Sequence, residues 1–339
     1  MSPPLVTVLL PLFNAEATVE AAIRSLLSQT LADWELVAVD DGSTDGTADR
    51  VEAFGHIDPR IRLLRRPHRG LVAALADGWS AAGGRFIARM DADDVAYPER
   101  LAKQAGFLQA HPDVGLVGCR VDFGGDRQAR AGFAVHVDWL NGLVTSGEIA
   151  LNRFVESPLA HPSVMFRPEL GARHGGYRDG PFPEDYELWL RWLEAGVRMA
   201  KVPQVLLRWN DPPGRLSRSD PRYDPAAFYA IKAPYLARWL RAHVGATRRL
   251  LVWGAGRLTR RRAEVLLDHG VTIDGYVDID SRKLGTRRDG RTVIGPGALP
   301  PPGEVFVLGY VAKRGARESI RTTLGQRGHL EGRDFLMAA

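Results

Sequence analysis

The chain has 339 residues, of which 45% are hydrophobic and 25% are charged. This composition excludes a disordered or collagen-like chain, and the length predicts two domains, because single cores rarely grow beyond about 250 to 300 residues. The 45 Lys and Arg residues exceed the 40 Asp and Glu residues, which gives a net charge of +5 and no strongly acidic character.

The first part of the chain alternates short apolar runs with segments of helical spacing. Strands are predicted at Val6–Leu10, Trp34–Val39, Ile61–Leu64, Phe86–Met90 and Val114–Val121, and helices at Ala17–Leu27, Thr44–Ala53, Leu71–Ala82 and Pro98–Ala110. This alternation is typical of a mostly parallel sheet covered by helices. Ligands bind such sheets at the carboxyl ends of the strands.

The later part of the chain gives fewer regular patterns. No regular element is predicted between Val121 and Pro158. Further segments are a helix at Glu184–Ala195, a loop at Asp211–Asp224, an aromatic helix at Pro225–His243, strands at Leu250–Trp253, Thr272–Val277 and Glu304–Leu308, and a helix that ends at Leu267. With a boundary near Val244–Thr247, we predict one domain at 1–243, with a helical extension from about 225, and a smaller α/β domain at 248–339.

Two acidic runs each follow a predicted strand. They are VDDGSTDGT at 39–47 and MDADD at 90–94. Because the carboxyl ends of parallel strands meet at one edge of a sheet, we expect both sets of carboxylates to converge there. Carboxylates this close raise one another's pKa, and a hard divalent cation relieves their repulsion. The alternative is that both runs only cap the helices that follow them.

Several short motifs together resemble the inverting family 2 glycosyltransferases, which have the α/β GT-A fold. They are PLFN at 11–14, VDDGSTDGT at 39–47, MDADD at 90–94, HPSVMFR at 161–167, GGY at 175–177 and EDYELWLR at 184–191. The similarity extends from about residue 5 to residue 210. It implies an enzyme of the hexosyltransferase type that uses a nucleoside diphosphate sugar.

The resemblance also implies which residues bind the sugar donor. Three residues of the first motif line the nucleotide pocket: Pro11, Phe13 and Asn14. Asp41 is at the position that meets the base. Asp91 and Asp93 match the DXD motif, which binds the ribose and the metal-bound diphosphate, so Mg²⁺ or Mn²⁺ is the implied cofactor.

On the acceptor side, Asp185 matches the catalytic base of the family. An inverting transfer needs one carboxylate to deprotonate the acceptor hydroxyl as it attacks the anomeric carbon. Glu184 and His161 are further candidates for substrate binding. The alternatives are that Asp185 is an acidic residue stabilised by a helix N-terminus, and that His161 is a structural residue whose ring nitrogens are already bonded.

Two features distinguish this chain from many relatives in the family. Asp77 stands where many relatives have Asn, and the Gln-x-x-Arg-Trp motif of the processive enzymes is missing. The second feature favours transfer of a single sugar over polymer synthesis. Arg208 and the loop from Arg215 to Arg218 are either cations for the diphosphate or a solvated loop.

The predicted second domain resembles a Rossmann-type nucleotide-binding half. Gly254 and Gly256 precede a helix after a strand, and Asp278 ends the next strand, where an acidic residue could hold a ribose. Thr259 replaces the third glycine of that motif. Two interpretations stay open: binding of a nucleotide or cofactor, and a degenerate domain used for packing or oligomerisation.

The predicted function is therefore transfer of one sugar, with UDP as the default nucleotide, to a glycan or lipid-linked acceptor in polysaccharide or cell-envelope biosynthesis. The alternatives are a protein that only binds nucleotide sugars and an oxidoreductase that uses the Rossmann-like domain. We expect no nucleic-acid partner, and the sequence leaves the oligomeric state open.

The expected compartment is the cytoplasm. The single cysteine, Cys119, excludes an intrachain disulfide, and its apolar surroundings predict a buried side chain. The stretch from Met1 to Thr7 lacks the features of a signal peptide, and no apolar run approaches the roughly 18 residues that span a bilayer. Peripheral contact at the inner face of a membrane is left open.

Overall fold

The computed structural model describes residues 3–245 and 248–339. The packing of the chain divides it into two units. The first comprises Met1–Ile149, Pro158–Gly180 and Arg191–Asp220, and the second comprises Ala150–Ser157, Pro181–Leu190 and Pro221–Ala339. The predicted domain division at residues 243 and 248 stays a prediction, and Ala246 and Thr247 of the predicted boundary lie outside the described residues.

The first unit is built around one large sheet. Its strands are β1 Val6–Leu12, β2 Trp34–Asp40, β3 Ile61–Arg65, β4 Phe86–Arg89, β5 Val95–Ala96, β6 Val114–Phe123, β7 Met165–Phe166 and β8 Arg198–Trp209. Helices in this part of the sequence are α1 Val19–Leu27, α2 Thr47–Ile57, α3 Leu71–Ala81, α4 Arg100–Ala110, α5 Ala131–Gly142, α6 Ser146–Asn152, α7 Glu169–His174, α8 Glu184–Glu194 and α9 Leu216–Ser219. Of these, α6 and α8 contribute residues to both units.

The sheet of the first unit is mixed. Among the described residues its strand order is β3-β2-β1-β4-β7-β6-β8-β5. β1 pairs in parallel with β2 and β4, whereas β7 is antiparallel to both β4 and β6. Every residue of β1 is buried, which is typical of a parallel strand covered on both faces. Cys119 of β6 is also buried, as predicted.

A close approach between α3 and the sheet depends on a glycine. A Cβ added at Gly78 would lie 2.1 Å from Leu9 Cδ1 and 2.9 Å from Val39 Cγ2. Leu9 and Val39 are both fully buried, so neither side chain can move into solvent. The missing side chain at Gly78 therefore lets the helix approach β1 and β2 closely at this point.

The second unit has a smaller sheet of its own. Its strands are β9 Arg249–Trp253, β10 Gly275–Val277, β11 Arg287–Arg288, β12 Arg291–Ile294, β13 Val305–Gly309 and β14 Phe335–Met337, and its further helices are α10 Pro225–His243, α11 Arg257–Glu264 and α12 Ala316–Gln326. Its strand order among the described residues is β11-β12-β10-β9-β13-β14. β9 pairs in parallel with both β10 and β13, which agrees with the Rossmann-like prediction.

A buried lysine joins three segments of the second unit. Lys232 of α10 donates hydrogen bonds to the carbonyl oxygens of Phe154 at 2.8 Å, Val155 at 3.4 Å and Ala338 at 2.7 Å. Burial lowers the pKa of this ammonium group to about 7. The segment Ala150–Ser157 is thus joined to α10 through its main-chain carbonyl groups.

Several elements differ from the sequence prediction. The region between Val121 and Pro158 contains α5 and α6, and β8 occupies residues 198–209, for which no strand was predicted. β8 contains Pro203, which has no N–H for a ladder, and the pairing of β6 with β8 shifts register beside it. The predicted strand Thr272–Val277 is also shorter, because only Gly275–Val277 joins the ladder.

Within residues 3–245 and 248–339, no helix combines the length and the apolar character that a membrane span requires.

The packing of α3 gives a stability prediction. We expect Gly78→Ala to lower the free energy of unfolding by about 1–3 kcal/mol, because the added methyl group overpacks a buried contact. Gly106→Ala, in α4, is the matched control, since a Cβ there would meet no atom within 4 Å. Urea denaturation should show a lower midpoint for Gly78→Ala and an unchanged or higher midpoint for the control. Equal midpoints would contradict the packing argument.

Candidate functional site

The acidic cluster lies directly after β4, at the carboxyl end of a strand that pairs in parallel with β1. One carboxylate oxygen from each of Asp91, Asp93 and Asp94 can be chosen so that all three lie within 4.8 Å of one another. The structure thus brings together the two predicted metal residues, Asp91 and Asp93, and adds Asp94. Whether they bind a metal stays a prediction.

The charges of this cluster are poorly solvated. Burial, followed by the charge of Asp91, raises the pKa of Asp93 to about 6. Burial and the charges of Asp91 and Asp93 raise the pKa of Asp94 well above its usual range. Asp94 Oδ1 accepts the Asn210 N–H at 2.8 Å, but its Oδ2 is buried with no hydrogen-bond partner among the described residues. Close carboxylates with an unused buried oxygen fit the ligand set of a hard divalent cation.

An arginine behind the cluster balances part of its charge. Arg89 is 2% exposed and forms an ion pair with Asp91. Burial is the largest single effect and lowers the pKa of Arg89, but the charge of Asp91, its hydrogen bond and the charge of Asp94 are among the effects that together outweigh burial and raise this pKa. Asp91 is thereby held from behind by a buried cation, which fixes one of its oxygens and leaves the other available for a ligand.

A second arginine near the cluster comes from the predicted loop. Arg215 Cζ lies 4.4 Å from the ring centroid of Trp209 and 4.8 Å from that of Phe133. Its charge lowers the pKa of Asp93 and of Asp94, against the larger effect of burial. The guanidinium is therefore held by aromatic contacts in a position where its charge reaches the cluster.

Asp41, at the end of β2, organises a second part of the first unit. Its carboxylate accepts the N–H groups of Arg69 at 3.0 Å and Gly70 at 2.7 Å, and it forms an ion pair with Arg66 at 3.1 Å. His68 Nδ1 lies 2.8 Å from Asp41 Oδ2. The segment 66–70 is thus wrapped around one buried carboxylate, and the role of Asp41 in base recognition stays a prediction.

The residues of the first motif lie close to this segment. The ring of Phe13 stacks on that of His68 with centroids 4.2 Å apart, and Phe13 is 49% exposed. Pro11 is buried within β1. Asn14 has a φ of 49° and accepts the Thr44 N–H at 2.9 Å, which joins it to the first acidic run. The predicted nucleotide residues therefore share one region with Asp41.

The sequence analysis missed two residues of this region. Arg66 is 6% exposed in its side chain and forms ion pairs with both Asp41 and Asp77, the latter at 2.8 Å. His68 supplies the ring that stacks on Phe13. Their signal was the basic run Arg-Arg-Pro-His-Arg at 65–69, directly after a predicted strand. Asp77 stands where many relatives have Asn, and its ion pair with Arg66 needs a negative charge that Asn does not carry.

His161 belongs to the first unit and Asp185 to the second. His161 is 8% exposed in the first unit, and its Nε2 lies 2.7 Å from the Tyr177 hydroxyl. Asp185 belongs to the second unit, in the first turn of α8, where it is partly exposed and accepts the N–H of Tyr186 at 2.7 Å. Glu184 beside it is buried. The substrate roles predicted for Glu184 and His161 stay predictions.

The glycine-rich loop of the second unit is occupied by its own residues. Asp278 accepts the Ala255 N–H at 2.8 Å and the Asp280 N–H at 2.9 Å, and it pairs with Lys283 at 3.0 Å. The carboxylate that could have held a ribose is therefore already bonded inside the protein. This arrangement favours the packing interpretation over cofactor binding.

Comparison of sequences finds clear relatives. Residues 7–149 match the family described as Glycosyl transferase family 2. EpsE of Bacillus subtilis is 34% identical over 215 residues, which are 61% of this chain and 73% of that protein. The amylovoran biosynthesis glycosyltransferase AmsE of Erwinia amylovora is 30% identical over 209 residues, which are 60% of this chain and 74% of AmsE.

Comparison of structures finds the same fold in more distant proteins. S. aureus TarS, solved in complex with UDP-GlcNAc, has a TM-score of 0.56 at 17% identity, over 78% of this chain and 71% of that chain. The mannosyltransferase PcManGT from Pyrobaculum calidifontis, solved with GDP-Man and Mn²⁺, has a TM-score of 0.50 at 23% identity, over 71% of this chain and 65% of that chain. At these identities the likeness shows the fold alone, and it confirms the predicted α/β class of the GT-A type.

The raised pKa of Asp93 gives a prediction about pH and metal. Its folded pKa of about 6 lies above the usual 3.8, so the folded protein holds more protons than the unfolded chain between these values. Without metal, the free energy of unfolding should therefore decrease as pH rises through this window. Mn²⁺ competes with the proton, so we expect its thermal stabilisation to be larger at about pH 7.5 than at about pH 5.

Differential scanning fluorimetry with and without Mn²⁺ at both pH values measures this effect. Asp93→Asn should remove most of the metal-dependent shift. Asp138→Asn, an exposed carboxylate of α5, is the matched control and should keep it. A shift of the same size at both pH values would contradict metal binding at this cluster.

Proposed function

The chain belongs to glycosyl transferase family 2, and on this premise we propose that it transfers one sugar, with inversion, from a nucleoside diphosphate sugar to a glycan or lipid-linked acceptor. The observation that carries the proposal is the acidic cluster after β4, with its three close carboxylates and the unpaired buried oxygen of Asp94 among the described residues. Such a site suits a divalent cation and the diphosphate that it binds.

The proposed donor site uses the cluster and the arginine beside it. Asp91 and Asp93 would hold Mg²⁺ or Mn²⁺, with Asp94 as a further ligand or a support. When bound, such a cation offsets the charge that develops on the leaving diphosphate. Arg215 would add a fixed positive charge on the same oxygens, and Arg89 would keep Asp91 oriented toward the ligand.

For the nucleoside, we propose the region around Asp41. Phe13 exposes a ring face that is backed by His68, and base stacking on aromatic rings is favourable. Pro11 and Asn14 complete the proposed lining. TarS was solved with UDP-GlcNAc and PcManGT with GDP-Man, so the neighbours in structure bind different nucleotides, and UDP remains our default for this chain.

The proposed base is Asp185. Its carboxylate would take the proton of the acceptor hydroxyl while that oxygen bonds to the anomeric carbon and the bond from this carbon to the diphosphate oxygen breaks. The electron pair of the broken bond leaves with the nucleoside diphosphate. One displacement inverts the anomeric carbon, and no covalent intermediate with the protein is needed.

The acceptor is proposed from the relatives. AmsE is named for amylovoran biosynthesis, which supports a role in the synthesis of a polysaccharide or another cell-envelope glycan. The missing processive motif supports addition of one sugar per event. A lipid-linked acceptor would require contact with the inner face of a membrane, and co-sedimentation of the full chain with liposomes would test that contact.

Substitution of the proposed base is the sharpest test of the mechanism. We expect Asp185→Asn to lower kcat for sugar transfer by about 10²–10⁴-fold, because the amide cannot accept the proton. Binding of UDP, measured by calorimetry with Mn²⁺, should stay near the wild-type value. Glu194→Gln, at the other end of α8, is the matched control and should transfer sugar normally. Wild-type turnover by Asp185→Asn would remove Asp185 from the mechanism.

A donor panel tests the proposed substrate class. Release of nucleoside diphosphate from UDP, GDP and dTDP sugars should depend on Mn²⁺ or Mg²⁺, since the cluster needs the cation to bind the diphosphate. Chelation with EDTA should abolish the release, and added Mn²⁺ should restore it. Equal turnover with and without EDTA would contradict the role of the cluster.

A further inference from the structure

The first turn of α8 carries three carboxylates that differ in exposure. Glu184 and Glu187 are each 2% exposed, whereas Asp185 between them is partly exposed. All three stand near the helix N-terminus, whose free N–H groups attract negative charge. The two buried carboxylates still need hydrogen-bond donors, because water does not reach them.

Tyrosine hydroxyls meet the two buried carboxylates. Tyr223, on a 3₁₀ turn at Pro221–Tyr223, donates to Glu184 Oε2 at 2.6 Å. Tyr235, in the middle of α10, donates to Glu187 Oε1 at 2.8 Å. Both distances are short, as expected of hydrogen bonds to an ionised acceptor. All of these residues belong to the second unit.

We propose that Tyr223 is a positioning residue for Asp185, through its hydrogen bond to Glu184; the inference rests on the proposed role of Asp185 as the base. Glu184 and Asp185 are adjacent in the same helical turn, so a hydrogen bond that anchors the Glu184 side chain also restrains the backbone that carries Asp185. Tyr223 holds the Glu184 carboxylate inside the unit and leaves Asp185 as the carboxylate that faces outward.

The chemistry of the pair supports this role. Burial, and then the charges of Glu184 and Asp185, raise the pKa of Tyr223, so its hydroxyl keeps its proton and remains a donor. Loss of that donor removes a short hydrogen bond from the buried Glu184 carboxylate. We expect the loss to loosen the backbone at Asp185, and small misplacements of a catalytic group slow proton transfer strongly.

The test compares Tyr223→Phe with the wild type in the full chain. We expect kcat to fall about tenfold, with KM for the donor and the Kd for UDP and Mn²⁺ changed by less than about twofold. Hydrogen exchange of the peptide 181–190, measured by mass spectrometry, should become faster. Tyr276→Phe is the matched control, because that hydroxyl lies 3.5 Å from Asp289 in the same unit, outside the proposed site.

A second variant separates positioning by Tyr223 from a need for the charge of Glu184. Glu184→Gln keeps an oxygen that can accept from Tyr223, so we expect hydrogen exchange of the peptide 181–190 to stay at the wild-type rate. Exchange in Glu184→Gln as fast as in Tyr223→Phe would mean that the charge of Glu184, rather than the hydrogen bond from Tyr223, holds this turn, and it would overturn the inference. A wild-type kcat for Tyr223→Phe would overturn the inference too. So would a low kcat that returns to the wild-type value well below the Tm of the variant, because lower folding stability would then explain the loss.

Asp185→Asn, measured beside these variants, separates failure of the inference from failure of the proposed function. If Asp185→Asn is inactive and Tyr223→Phe has normal kcat and normal exchange, only the positioning role is wrong. If Asp185→Asn is active, the proposed base is wrong, and the positioning role is overturned with it.

Discussion

Repulsion among like charges at the end of β4 shapes the first unit. Two unit charges as close as the carboxylates of Asp91, Asp93 and Asp94 repel by about 3 kcal/mol at an effective dielectric constant near 20. Three features reduce this repulsion. They are the buried cation of Arg89, the charge of Arg215, which contacts two aromatic rings, and the raised pKa of the carboxylates, which favours their protonated forms. One buried oxygen of Asp94 still has no hydrogen-bond partner among the described residues, which supports the proposed binding of a divalent cation.

The second unit handles acidic groups differently. In α8 and around Asp278, buried carboxylates are bonded to tyrosine hydroxyls, main-chain N–H groups or a lysine. These carboxylates are hydrogen-bonded or ion-paired to groups of the same unit. The contrast explains why the same residue type suggests a ligand site in one unit and an internal network in the other.

Most strands of the first sheet and the place of the acidic cluster could be predicted from the sequence. Parallel strands buried on both faces give continuous apolar runs, and ligands bind at their carboxyl ends. The run MDADD was located on that rule. The strand at 198–209 could not be predicted, since Pro203 and a shifted register break its pattern. The partners of Glu184 could not be predicted either, because a hydrogen bond between residues 184 and 223 leaves no periodic trace in the sequence.

Because segments of the two units alternate along the chain, neither unit can be exchanged with that of a relative as one continuous piece. Residues 150–157 and 181–190 belong to the second unit although they lie within the part of the chain that precedes β9. A chimera made with one crossover near residue 244 would therefore replace β9 to β14 while keeping segments that had adapted to their former neighbours. Recombination of this protein with a relative would preserve the packing of the second unit only if its three segments, 150–157, 181–190 and 221–339, were exchanged together.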